Sequence, residues 1–353
     1  MDSITSRRLP EVDILQVLRD ASDVWEELRG QTIFVTGATG FVGRWMLSSL
    51  QAADRSYGLG VRVVALSRYP ERFRREHPHL GAWPALTWKR GSVATLGPEV
   101  LEGRVDLAIH LATEADLGAT LADPSAATEV IAGGTLRTLQ VASRAGARRI
   151  LFTSSGSVYG PQPSGLLSFS EDWPLPAHAP GARDARGIGA EGKRLAEAHC
   201  TDFFQRRAID TVIARCFSFS GPGIPLSGKF AFGNFLRDAL AGRRVAVKGD
   251  GTTVRSYLYG SDLSSWLWRL LLRGTAGRTY NVGSEHALSL MDLAEMVARE
   301  LGAPGVDIGQ ARRPGEPTDR YVPSTLRART ELGLRESVGI HAAIRKTADW
   351  LCD

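Results

Sequence analysis

The sequence predicts an α/β protein built on a doubly wound parallel sheet, with a smaller α/β substrate-binding lobe towards the C-terminus. Three observations carry this. Short apolar runs recur at Ile33–Val35, Arg62–Leu66, Leu86–Lys89, Leu107–Leu111, Ile150–Thr153 and Thr211–Ala214. Stretches of helical spacing separate them, among them 44–53, 125–145 and 190–207. Strands and helices alternating at this interval indicate parallel pairing, with each helix carrying the chain back across the sheet. The third observation is the turn after the first run, Thr36-Gly37-Ala38-Thr39-Gly40-Phe41-Val42-Gly43, which opens onto Trp45-Met46-Leu47.

A strand, a glycine-punctuated turn and a helix start form the setting of a dinucleotide fingerprint, and hence of a Rossmann-type domain. Gly37 permits the tight turn, Gly40 lets the backbone approach a pyrophosphate, and Gly43 lets the helix pack close to the strand. The helix N-terminus offers unpaired N–H groups and partial positive charge. Thr39, Phe41 and Val42 complete the predicted contacts; the alternative is a strand–helix turn with no ligand. The second strand, from Val61, ends in Ser67-Arg68 with no acid to hold a ribose 2′-hydroxyl. A small polar residue followed by arginine leaves room and charge for a 2′-phosphate, which favours NADP over NAD. Alternatively, Arg68 stacks on the adenine and either cofactor binds.

The remaining elements follow in order. Residues 11–29 carry apolar side chains at helical spacing (Val12, Leu15, Val17, Leu18, Val24, Trp25, Leu28), an extra helix before the first strand. Residues 1–30 are therefore read as a helical extension, 31–220 as the dinucleotide-binding domain and 221–353 as mainly the substrate lobe, some segments returning to the first domain. Pro- and Gly-rich stretches at 160–181 and 220–228 read as long loops at the open edge of the sheet. Beyond them, short strands at Arg244–Val247 and Thr279–Val282 and helices at 262–273, 289–301 and 338–351 are expected.

Composition narrows the function. Of 353 residues, 43% are hydrophobic and 23% charged, enough for a sizeable soluble core. The net charge of +5 is scattered as pairs such as Arg19-Asp20 and Arg299-Glu300, without the basic tract that nucleic-acid binding needs. Cys200, Cys216 and Cys352 lie far apart, which argues against a disulfide framework and a zinc site. The N-terminus lacks a signal-like apolar core, and the run Trp266–Leu272 is too short for a bilayer and carries Arg269. The expectation is a cytoplasmic enzyme with no metal and no membrane partner.

Several motifs in order resemble the extended short-chain dehydrogenase/reductase group, specifically NAD(P)-dependent nucleotide-sugar epimerases and dehydratases. The carriers are the turn at 36–43, His110-Leu111-Ala112-Thr113, the 153–160 segment TSSGSVYG and Lys193-Arg194-Leu195-Ala196-Glu197. Gly249–Tyr257, Tyr280-Asn281-Val282-Gly283 and Arg312-Arg313-Pro314-Gly315-Glu316 follow. The resemblance implies transient oxidation of a sugar hydroxyl by a tightly bound nicotinamide cofactor. The ketone then acidifies a neighbouring C–H, allowing epimerisation or loss of water before the hydride returns. It also implies a homodimer paired through two helices of the dinucleotide domain.

By the same resemblance, Ser155 matches the catalytic serine and Lys193 the lysine that holds the nicotinamide ribose. Leu111, Ala112, Thr113 and Ser92 fall at cofactor positions. Ser218, Asn234, Arg255, Tyr257 and Arg313 fall at substrate positions, the two arginines suiting phosphate oxygens. Ser155 also reads as a turn or helix-cap serine. The tyrosine expected four residues before Lys193 is missing: that position is Gly189. Four explanations stand: another base, with Glu114 the candidate; a retained cofactor with non-redox chemistry; an engineered inactivation; or a degenerate binding module. The enzyme alternative to an epimerase or dehydratase is an NADPH-dependent ketone reductase, and the non-enzyme alternative is a silent sugar-nucleotide-binding protein.

Overall fold

The computed structural model describes residues 7–114, 117–176, 184–228, 230–311, 315 and 318–353. The chain runs α1 (Glu11–Asp20), β1 (Thr32–Thr36), α2 (Phe41–Tyr57), β2 (Arg62–Ser67), α3 (Pro70–Glu76), β3 (Leu86–Arg90) and β4 (Leu107–His110). Next come α4 (Gly134–Arg144), β5 (Arg149–Ser155), α5 (Ala185–Gln205), β6 (Asp210–Cys216) and β7 (Ser218–Ser220). These are followed by α6 (Ala231–Leu240), β8 (Val245–Val247), β9 (Val254–Arg255), β10 (Tyr257–Tyr259), α7 (Gly260–Arg273) and β11 (Thr279–Val282). The last are β12 (Leu288–Ser289), α8 (Leu290–Leu301), β13 (Val306–Ile308), β14 (Arg320–Tyr321), α9 (Leu326–Leu332) and α10 (Ile340–Cys352).

Seven strands form one sheet in the order β11-β6-β5-β4-β1-β2-β3. The pairs β1–β2, β2–β3, β1–β4, β4–β5 and β5–β6 are all parallel. Every residue of β1 and β4 is buried, as expected of a parallel sheet covered by helices on both faces. The chain winds one way from β1 to β3 and the other way from β4 outward. The switch point lies between β1 and β4, where a doubly wound sheet opens its ligand crevice.

The chain forms two compact units. The first takes residues up to Gly160, Leu175–Cys216 and Ser264–Tyr280; the second takes Pro161–Pro174, Phe217–Leu263 and Asn281–Asp353. In the first, the stretch from α7 returns because its apolar face finds a partner: Trp268 meets Trp25 edge-on at 5.5 Å and donates Nε1–H to Ser49 Oγ at 2.9 Å. The second unit is knit by short ladders, β10–β7, β12–β9–β14 and β13–β8. Its loop Pro161–Pro174 is tied down through the Phe169 main chain: Phe169 N–H donates to Val322 O, and the Asn281 side-chain Nδ2 donates to Phe169 O.

One expected helix is corrected and another gains detail. The 11–29 segment is not one helix: α1 stops at Asp20, and a separate 3-10 turn spans Trp25–Leu28. The turn formers Asp20, Ser22 and Asp23 break the run, and Trp25 reaches back to donate to Leu18 O at 3.0 Å. The 125–145 segment is helical through Arg144, as expected, with a π-helical turn at Glu129–Gly133 leading into α4. That turn places Ile131 against Gly192 of α5, where a Cβ would come within 3.1 Å of it.

Candidate functional site

The fingerprint turn has little freedom. Gly37 has φ +71, and a Cβ there would lie 2.5 Å from Ala112 N and 2.6 Å from Leu111 C. A Cβ on Gly43 would drive into the Ala38 main chain. Any side chain at either position would have to displace backbone. Gly40 caps α2 with extended backbone, no side-chain bond and no acid in the first turn, which leaves the helix end suited to an anion. Thr39 and Gly40 are exposed, Phe41 and Val42 half-buried. These residues fit a dinucleotide pyrophosphate.

The floor beside the turn is fixed by buried polar bonds. Thr36 Oγ1 and His110 Nδ1 are 2.6 Å apart, and His110 Nε2 lies 3.0 Å from Thr135 Oγ1. Burial, with Lys193 nearby, holds the His110 pKa down to about 3, so its ring is neutral. Leu111 N–H donates to Thr36 O, which carries the chain to Ala112, exposed Thr113 and half-buried Glu114. At the end of β2, Ser67 is buried and its hydroxyl accepts from Tyr69 N–H, whereas Arg68 is exposed. Ser92 caps a short turn by accepting from Ala94 N–H.

At the end of β5, Ser155 is half-buried and caps the 3-10 turn Gly156–Tyr159, accepting from Ser157 N–H at 3.2 Å and Ser157 Oγ at 2.9 Å. Lys193 on α5 is buried, donates to Thr153 O at 2.7 Å and sits 4.8 Å from the Phe152 ring centre. Burial lowers its pKa to about 8. The structure thus brings Lys193 and the Ser155 strand end together. Gly189, one turn before Lys193, is half-buried, and among the described residues a Cβ there would meet no atom within 4 Å outside its own stretch of helix.

The expected substrate residues of the second unit are distributed as follows. Arg255 pairs with Asp319 at 2.6 Å, donates to Val254 O and lies 5.7 Å from the Tyr321 ring centre. Tyr257 is buried, 6.0 Å from Phe232, and burial pushes its pKa up. It pairs across the ladder with Ser218, which is half-buried. Asn234 donates Nδ2 to Gly228 O, and its buried Oδ1 has no hydrogen-bond partner among the described residues. Arg313 lies outside the described residues.

Sequence reasoning missed two arrangements. One is the Thr36–His110–Thr135 set, whose members are far apart in sequence and carry no local signal. The other joins Ser154, Glu197, Arg215 and Tyr159. Its available clue was helical spacing, since Glu197 lies one turn beyond Lys193 on the same face.

The doubly wound sheet, its switch point and the rigid glycine turn define an α/β enzyme that binds a dinucleotide cofactor. The chain belongs to the NAD dependent epimerase/dehydratase family, whose model matches residues 33–283. It is 30% identical over 319 residues to UDP-glucuronic acid decarboxylase 6 of Arabidopsis thaliana, covering 88% of this chain and 86% of the relative. It is 27% identical over 328 residues to dTDP-glucose 4,6-dehydratase of Streptomyces griseus, covering 90% and 93%. Among solved structures, the dTDP-glucose 4,6-dehydratase DesIV of Streptomyces venezuelae, with NAD and TYD bound, superposes with a TM-score of 0.76 at 26% identity, covering 91% of this chain and 96% of that one. No helix among the described residues is long and apolar enough to cross a membrane.

Proposed function

We propose that the protein is an epimerase or dehydratase acting on a nucleotide sugar or nucleoside, with a retained nicotinamide cofactor. The observation that carries this reading is the joint presence of the fixed Gly37–Gly43 turn and a buried Lys193 seated at the β5 end beside Ser155. The cofactor supplies a reversible hydride acceptor when bound. The turn and the bare end of α2 hold its phosphates, Lys193 its nicotinamide ribose, and Ser155 offers a hydroxyl to the reacting oxygen. Glu114 is the candidate base. The absence of an acid after β2, with Arg68 exposed, supports NADP. On the substrate side, Arg255, Tyr257, Ser218, Asn234 and Arg313 bind the nucleotide, and UDP and dTDP sugars are the first to test. Denaturing the purified protein and identifying the released cofactor by mass and absorbance tests the reading. Bound NAD or NADP supports it, and an empty protein indifferent to both overturns it.

A second reading is favoured by one observation. Gly189 removes the side chain from which the family's tyrosine would act, which fits a silent sugar-nucleotide-binding protein. G189Y separates the two, because a Cβ at position 189 meets no atom of the described residues within 4 Å outside its own stretch of helix. If an alternative base works, wild type converts a substrate or exchanges its hydrogen with solvent deuterium, and G189Y changes the rate by less than about tenfold. If the protein is silent, wild type shows neither conversion nor exchange and G189Y creates one of them. Mass spectrometry of UDP-glucose, dTDP-glucose and UDP-glucuronic acid after incubation in D2O gives the readout.

A further inference from the structure

Beneath the β5 end lies a buried network whose residues are drawn from three elements. Ser154 Oγ donates to Glu197 Oε1, and Arg215 at the end of β6 donates Nε–H to Glu197 Oε1 at 3.0 Å and Nη2–H to Oε2 at 2.7 Å. The Arg215 guanidinium lies 4.7 Å from the Tyr159 ring centre, and both charged side chains are under a tenth exposed. Burying such a pair costs desolvation that a well-packed apolar pair would avoid, so stability alone is a weak reason for it.

Its neighbour is a second buried charge. Lys193 faces the Phe152 ring and Thr153 O on β5, Cys216 on β6, Glu197 and Cys200 on α5, and His110 on β4. Burial pushes the Cys216 thiol up to about 12 and the Cys200 thiol higher still, and holds His110 near 3. All three are neutral around pH 7. Of these groups, Glu197 alone supplies negative charge, with Arg215 behind it.

We propose that Glu197 is a positioning residue for Lys193: pinned by Ser154 and Arg215, its carboxylate keeps the buried ammonium charged and seated on the Thr153 carbonyl. This rests on the functional reading above for its purpose, because a neutral Lys193 holds a ribose hydroxyl less firmly. The geometry itself does not depend on that reading.

The test is the titration of Lys193, followed by NMR of 13C-labelled lysine with the signal assigned by its loss in K193M. E197Q keeps the shape and removes the charge, and the Lys193 midpoint should fall by at least about half a pH unit. E197D, which retains the charge, should restore it. If E197Q does not fold, E197M/R215M removes the pair as a unit and should give a smaller shift in the same direction, because the Arg215 cation leaves with the carboxylate. NAD(P)+ affinity in the charge-free variant should then weaken above the lowered midpoint. A midpoint equal to wild type in whichever charge-free variant folds overturns the proposal and leaves the network a packing feature. Wild type that binds neither cofactor sinks the functional reading, while the titration still decides the role of Glu197.

Discussion

Two glycine-bearing regions of the first unit show opposite uses of the same residue. In the fingerprint turn, glycine is demanded by contact: a Cβ on Gly37 meets the Leu111–Ala112 backbone, and one on Gly43 meets the Ala38 backbone. In α5, no contact among the described residues demands glycine at position 189, since a Cβ there meets none of their atoms within 4 Å outside its own stretch of helix. A glycine in a helix interior is also a liability there, because it loses more backbone entropy than alanine. The contrast teaches that the turn is a shape constraint on this chain, whereas the described packing around Gly189 leaves room for a side chain.

Substitution at the turn should have the largest effect. G43V should destabilise the protein by about 3 kcal/mol or more and abolish cofactor retention, read by denaturant unfolding and by the released-cofactor assay. A stable, cofactor-loaded G43V would break the comparison at its stronger end. The floor next to Gly37 gives a smaller, pH-dependent effect. His110 is held neutral in the fold with a pKa of about 3, below the ordinary 6.5. Below pH 6.5 the unfolded chain takes up a proton that the folded chain refuses. Stability from His110 is therefore complete above that pH and falls at up to about 1.4 kcal/mol per unit down to about 3. His77 and His79, lowered to about 3 and about 4 by burial and neighbouring cationic groups, act in the same direction. Unfolding of wild type and H110Q between pH 7 and 4 should show a shallower slope in the variant; equal slopes would remove His110 from the account. The smallest effect belongs to G189A, which should raise stability by about 0.5–1 kcal/mol through helix propensity alone, measured by thermal unfolding. A destabilised G189A would mean that the space is needed for packing after all.

Much of the sheet was readable from sequence because its strands are apolar runs flanked by strong punctuation, Gly37–Gly43 above all. The details of two helical stretches were not. Apolar spacing persists across the break in 11–29 and across the π turn in 125–145, and the contacts that accompany them, Trp25 with Trp268 and Ile131 with Gly192, lie far away in sequence. At the site, Ser155 and Lys193 are candidates that a motif singles out. What secures them is not singled out: the partners of Glu197 and His110 sit on other elements, 18 to 74 residues away. A motif names the residue that touches the ligand, while the charge that supports it is visible only once the strands are paired.

The return of Ser264–Tyr280 to the first unit also bears on how this molecule can be taken apart. That first unit is written in three separate stretches of chain, interleaved with those of the second. No single contiguous fragment encodes that unit, and a fragment ending near residue 220 leaves behind Trp268 and the outer strand β11. Recombination between relatives therefore cannot exchange the nucleotide-binding half by one crossover. In lineages of this chain, cofactor choice and substrate choice are expected to travel together, because the gene offers no clean seam between them.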